Sequence, residues 1–203
     1  MTPLTEAWED VRAWRRDTRT ALLERRMAAS PGQRSAWGAK IESYLGPLLV
    51  GMSGRTIGFY WPFKAEFDAR ALVTQLLATA PWRAALPVVS ARNAPLSFRP
   101  WTPECEMESG VLGIPIPKTL DTLVPDVLLA PLVGFDAANY RLGYGGGYFD
   151  RTLAALSPRP QVIGVGFEIS RLESVHPQPH DVAMDFIVTE AGVQYRGPVQ
   201  PQL

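Results

Sequence analysis

One stretch limits the folds open to this chain more than any other: VGFDAANYRLGYGGGYFDR, from Val133 to Arg151. It overlaps an apolar run, Val127 to Phe135, interrupted only by Pro131 and Gly134, which reads as a strand buried on both faces. After it, Phe149, Leu153 and Leu156 recur at four- and three-residue spacing on one face of a helix. Gly143, Gly145, Gly146 and Gly147 therefore fall at a strand-to-helix junction. Glycine accepts positive φ and lets a ligand approach the main chain, and the first turn of a helix presents unpaired amides with a partial positive charge. A phosphate group suits such a junction. Arg141 adds a bidentate cation, and Asp150, one turn into the helix, is placed to hold a magnesium ion against phosphates. The stretch lacks the Lys-Ser or Lys-Thr ending of a Walker loop and the spacing of the dinucleotide fingerprint, so by itself it is also compatible with a tight turn and nothing more.

The rest of the chain supplies a framework for that junction. Thr5 to Met27 is helical and basic, with Arg12, Arg15, Arg16, Arg19, Arg25 and Arg26 set among Trp8, Val11, Trp14, Leu22 and Leu23. Such a run is ordinarily a solvated face, although Arg15 and Arg19 share one side and can together hold a polyanion. Ser30 and Pro31 read as the N-cap and first position of a second helix through Gln33, Trp37, Ile41 and Leu45, followed by a turn from Gly51 to Gly54. Thr56 to Trp61 reads as a strand, and Asp68 as the cap of a helix from Ala69 to Ala78. Trp61 and Glu66 then stand at the carboxyl end of a strand, where ligands collect in open α/β sheets; a surface or capping role for Glu66 is the plain alternative.

Further strands are expected at Leu86 to Val89, Leu96 to Trp101, Gln161 to Phe167 and Phe186 to Val188, with a long surface loop from Thr102 to Pro125. Alternating strands and helices imply a three-layer α/β domain with a mainly parallel sheet. His176 and His180 have a zinc-binding spacing only if helical, and Pro177 and Pro179 rule that helix out. Asp181 and Asp185 are a better pair, although Asp181 also fits a turn or cap. Asp185 opens the last strand and is expected to complete a magnesium site with Asp150.

At 203 residues and zero formal net charge, the chain is expected to form one domain with no global attraction to nucleic acid or anionic membrane. The single cysteine, Cys105, excludes an internal disulfide framework and a zinc ribbon, and no apolar stretch approaches a spanning helix; a cytoplasmic protein is expected.

RLGYGGGYFDR, preceded by VGFD and followed by HDVAMDFIVTE, resembles the 5-formyltetrahydrofolate cyclo-ligase family. The resemblance extends in order to RRMAAS, FYWPFKAEFD and VIGVGFE. It implies a single domain over residues 1–203, with 1–14 an N-terminal extension and 193–203 a C-terminal tail, and a sheet-and-helix arrangement similar to that of sugar-phosphate isomerases and CoA transferases. It implies ATP- and magnesium-dependent conversion of 5-formyltetrahydrofolate to 5,10-methenyltetrahydrofolate through a phosphorylated imidate on N5, by a protein expected to act as a monomer.

The same resemblance places Arg15, Arg19 and Arg141 on ATP phosphates, together with Leu142, Gly143, Tyr144, Gly145, Gly146, Gly147, Tyr148 and Phe149 of the loop. It assigns magnesium to Asp150 and Asp185, and folate to Trp61 and Glu66, with Tyr144 and Tyr148 between the two ligands. Arg141 and Tyr148 are the residues expected to act on the reacting groups. Three positions depart from the family pattern: Arg15 stands where lysine is usual, Asn139 replaces a glycine but tolerates positive φ, and Ile116 replaces a polar residue that precedes a proline. Two other functions fit parts of the pattern: an altered relative with another pterin or amide substrate, and a single-stranded nucleic-acid binder that uses the basic helix and aromatic loop.

Overall fold

The computed structural model describes residues 8–52 and 55–197. The expected helix start at Thr5 to Ala7, the Gly54 end of the expected turn, and positions 198–203 of the expected tail lie outside them. Four helices pack with a seven-stranded sheet: α1 (Trp8–Ala28), α2 (Pro31–Val50), α3 (Arg70–Thr79) and α4 (Tyr148–Ala155). In chain order the strands are β1 (Thr56–Gly58), β2 (Arg83–Val88), β3 (Ser97–Trp101), β4 (Met107–Ser109), β5 (Pro115–Pro117), β6 (Val127–Pro131), β7 (Gly134–Phe135), β8 (Arg141–Leu142), β9 (Gln161–Val165), β10 (Phe186–Thr189) and β11 (Gly192–Tyr195).

The main sheet runs β11-β10-β9-β6-β1-β2-β3. Its five inner strands are parallel, and the edge strands β3 and β11 pair antiparallel with β2 and β10. Period-two alternation sorts the core. Val127 and Leu129 of β6 join Ile41, Leu45 and Leu49 of α2 and Val73 of α3 on one face; Leu128 and Ala130 join Leu153 of α4 on the other. Burying each of these large side chains stabilises the fold by about 2 kcal/mol. Ser30 caps α2 as its residue type suggests: its hydroxyl accepts from the Gln33 amide while the Gln33 side chain accepts from the Ser30 amide.

Several expected boundaries move. The run from Val127 to Phe135 is two strands, because β6 ends at Pro131 and the chain turns out of the main sheet before β7 pairs with β8. The long loop after Trp101 carries its own hairpin of β4 and β5, with GIPIP supplying β5. The expected tail begins inside β11, which closes the sheet edge. None of the described helices is long and apolar enough to cross a membrane.

Two features of this topology build a cleft. Chain order reverses between β6 and β1, which are neighbours, and at such a switch point the loops leaving the carboxyl ends diverge. Across that end lies α1, held by Leu22 against Val133, Leu142 and Val175.

Candidate active site

Between α1, the segment after β1, the β4–β5 hairpin and the glycine-rich loop opens a cleft of about 1640 Å³. Its first wall is the loop itself. Gly145 and Gly147 have φ of 94° and 62°, values at which a side chain is strained, and Gly147 caps α4 in the left-handed conformation. Gly143, Gly145, Gly146 and Gly147 all line the cleft, as the strand-to-helix reading requires. Leu142 is buried with Leu22 and Val175 and serves as an anchor for the loop. Tyr148 opens α4 beneath the Arg151 guanidinium, 5.2 Å from ring centre to Cζ, and Phe149 lies under Arg141 at 5.0 Å.

Arg141 is nearly inaccessible. Its Nη2 donates to Asp150 Oδ2 at 3.0 Å, while its Nε has no partner among the described residues. Burial lowers its pKa, and Asp150 and Asp181 oppose that shift. Asp150 also accepts from the Val182 amide at 3.3 Å and faces the cleft.

Three arginines of α1 point inward, against the ordinary expectation of a solvated face. Arg15 donates from Nε to the Val175 carbonyl at 3.1 Å and from Nη2 to the His176 carbonyl at 2.9 Å and to Asp181 Oδ2 at 2.5 Å. Among the described residues Arg19 donates from Nε alone, to the Gly143 carbonyl at 2.7 Å, and lines the cleft beside the loop. Burial, then the neighbouring Arg15, lowers its pKa. Arg26 is the most deeply buried cation, 2% exposed. With these residues turned inward, α1 has fewer outward cations for the nucleic-acid alternative.

On the opposite wall, Trp61 stacks under Arg70 at 4.4 Å, and Glu66 lies behind it with only 4% of its side chain exposed. Glu66 Oε1 accepts from the Tyr144 hydroxyl at 2.6 Å and Oε2 from the Phe63 amide at 2.9 Å. Burial raises its pKa, with the Tyr144 bond, Arg26 and the Phe63 amide acting the other way. Burial raises Tyr144 as well, and the nearby Glu66 adds to it. Ile116 lines the same cleft from β5, close to Arg99, which donates to Glu108 and to the Pro117 carbonyl, both at 2.8 Å.

Asp185 is not brought into the lining of the cleft. It lies at the amino end of β10, outside the cleft, where its carboxylate accepts from Arg159 at 2.9 Å and from the Val162 amide at 2.7 Å. Among the described residues it shares no partner with Asp150, which accepts from the Val182 amide at the loop end. Asp181, read from sequence as a turn or cap residue, is instead the second aspartate facing the cleft, and it does accept the Gln178 amide in a turn. The same segment takes its position from Asn139, whose φ is 64° and whose amide donates to the Met184 and Asp185 carbonyls.

Sequence reasoning gave no site role to Arg26 or Arg99 and favoured a turn or cap for Asp181. One signal was present: Arg26 falls four residues after Leu22, on the side of α1 that buries Val11, Arg15, Leu22 and Arg26. Among the described residues no three His, Cys, Asp or Glu side chains cluster as a metal cage.

The model of the 5-formyltetrahydrofolate cyclo-ligase family matches residues 11–190. The 5-formyltetrahydrofolate cyclo-ligase of Mycolicibacterium smegmatis is 33% identical over 180 residues, covering 84% of this chain and 91% of that protein. Its Escherichia coli counterpart is 31% identical over 186 residues, covering 85% and 98%. The solution structure of Aquifex aeolicus 5,10-methenyltetrahydrofolate synthetase superposes with a TM-score of 0.79 at 26% identity, over 93% of this chain and 96% of that one.

Proposed function

The chain belongs to the 5-formyltetrahydrofolate cyclo-ligase family, and from that premise we propose that its cleft converts 5-formyltetrahydrofolate to 5,10-methenyltetrahydrofolate, using ATP as phosphoryl donor with magnesium on the phosphates. The observation that carries this reading is that the glycine-rich loop, Arg19 and Asp150 open on the same cleft as Trp61 and Ile116.

The chemistry explains why both walls are needed. An amide-type formyl oxygen is a weak nucleophile and a poor leaving group. In the proposed reaction it attacks the γ-phosphoryl group, forming an O–P bond as the β–γ bond breaks and ADP leaves. N10 then attacks the activated carbon and loses its proton to solvent, and inorganic phosphate departs with the former formyl oxygen. Most of the catalytic task is in-line positioning and neutralisation of charge on the transferred group.

This chain's residues suit those tasks. Arg19, whose Nη groups have no bond to the described residues, supplies one cation; Arg141, held by Asp150, supplies a second. The amides of Gly145 to Tyr148 at the start of α4 add donors without side-chain reorganisation. Magnesium commonly takes one or two carboxylates and completes its shell with phosphate and water. Asp150 fits as such a carboxylate, with Asp181 the nearer candidate for a second. Trp61 offers an aromatic face for the pterin. Because both Glu66 oxygens already accept protein donors, its part in folate binding is to shape the wall and accept at most a further weak bond.

The test is to supply 5-formyltetrahydrofolate with labelled formyl oxygen and follow the label. Recovery of the label in inorganic phosphate, with one ADP per methenyl product, supports the scheme; unlabelled phosphate contradicts it.

A further inference from the structure

Arg26 is used by no step above, yet each of its three guanidinium nitrogens donates a hydrogen bond. Its Nε donates to the Lys64 carbonyl at 2.9 Å, its Nη1 to the Leu132 carbonyl at 2.9 Å, and its Nη2 to the Tyr144 hydroxyl at 2.6 Å. Glu66 lies 3.8 Å away. A planar guanidinium donates to these three acceptors from three separate nitrogens, whereas an ammonium has its three donors on one atom.

The acceptors belong to parts of the cleft that must cooperate. Lys64 is in the segment that carries Trp61 and Glu66, Leu132 follows the end of β6, and Tyr144 is in the glycine-rich loop. Tyr144 completes the connection: its hydroxyl accepts from Arg26 and donates to Glu66, and its ring packs on Phe63 at 5.8 Å. Both ends of this bridge are conformationally unusual. Lys64 and Ala65 are non-glycine residues at φ of 47° and 59°, a turn that persists only while its surroundings hold it, and Tyr144 is followed by Gly145 at 94°.

We propose that Arg26 is a positioning residue that, through the hydroxyl of Tyr144, joins the loop on the nucleotide side to the Glu66 segment on the folate side, so that filling one subsite strengthens binding at the other. Displacement of the Lys64–Glu66 turn by a pterin moves the acceptors of Arg26 and Tyr144 together, and the loop conformation follows. The proposal rests on the assignment of folate and ATP to the two walls.

The experiment is calorimetric titration of the β,γ-imido analogue of ATP, with magnesium, into the protein in the absence and presence of saturating 5-formyltetrahydrofolate. Wild type is expected to bind the analogue about fivefold or more tightly when folate is present, the lower end of ordinary coupling between sites. Tyr144→Phe keeps the ring and removes only the bridging hydroxyl; its expected enhancement is less than about twofold, taken as the ratio of analogue affinities with and without folate in the same variant, so that a change in the variant's basal affinity cancels. Arg26→Lys should lose the enhancement similarly if it folds, and the phenylalanine variant decides the matter if it does not. Full enhancement in Tyr144→Phe, or none in wild type that binds both ligands, overturns the proposal. Wild type that binds neither ligand overturns the functional assignment instead.

Discussion

The hydroxyl of Tyr144 donates to Glu66 Oε1 at 2.6 Å, so the glycine-rich loop and the segment after β1 are hydrogen-bonded to each other across the floor of the cleft. The carboxylate in this bond has little water around it, and burial raises its pKa above the ordinary 4.5. Folded protein therefore holds the Glu66 proton more tightly than the unfolded chain does. As pH rises from about 4.5 through the raised folded value, the unfolded state releases its proton first and this group's contribution to stability falls.

Glu66→Gln removes that titration. The difference in Tm, wild type minus variant, is expected to decrease between about pH 4 and about pH 8. Thermal melts of both proteins across the range check it; a difference that grows with pH would mean that the Arg26 pairing outweighs the burial.

Asp150 and Asp185 separate the two ends of the sheet. Asp150→Asn is expected to lower kcat by about 100-fold or more, since it removes charge beside the transferring group. It should also lower Tm, because Arg141 loses its counter-charge. Asp185→Asn should leave turnover within a few-fold of wild type and cost about 1 kcal/mol of stability through its bonds to Arg159 and the Val162 amide. Steady-state kinetics with melts on both variants test the pair of outcomes, and loss of turnover in Asp185→Asn alone would reverse the assignment.

Arg15 and Arg19 share a helix face but differ in commitment. Arg15 is occupied by Asp181 and two carbonyls, whereas Arg19 makes one bond to the loop. Arg19→Ala is expected to raise KM for ATP by about tenfold, the cost of a charge-assisted contact. The effect of Arg15→Lys should be smaller and mainly on Tm. Initial rates at varied ATP distinguish them.

Gly145→Ala tests the loop geometry. Its φ of 94° strains any side chain by about 1 kcal/mol, and an added Cβ would sit 3.4 Å from the Arg19 guanidinium carbon. KM for ATP should rise while Tm changes little, because the glycine lies on an exposed loop. A large loss of Tm without a change in KM would make the glycine structural.

Much of this was legible in local pattern. The both-face burial of Val127 to Ala130, the Ser30 cap and the junction of strand, glycines and helix follow from residue type and period alone, whereas the left-handed Asn139 was expected only from the family resemblance. Strand order did not, because which strands become neighbours depends on long-range packing. Asp185 is read from sequence as opening the strand at Phe186, and it does; what depends on long-range packing is that this strand runs parallel to β9, which puts its start away from the loop end of the sheet. Arg26 was hidden by its own neighbourhood, since an arginine in a basic helix looks solvated until its acceptors, separated from it by 38 to 118 residues, are brought to it.

The central claim is the reaction at the cleft. It is tested most directly by following the absorbance of 5,10-methenyltetrahydrofolate with 5-formyltetrahydrofolate, ATP and magnesium, omitting each in turn. Product formation that requires all three is the predicted result. Well-folded protein that binds the ATP analogue but forms no product, or that forms it without ATP, would contradict the account.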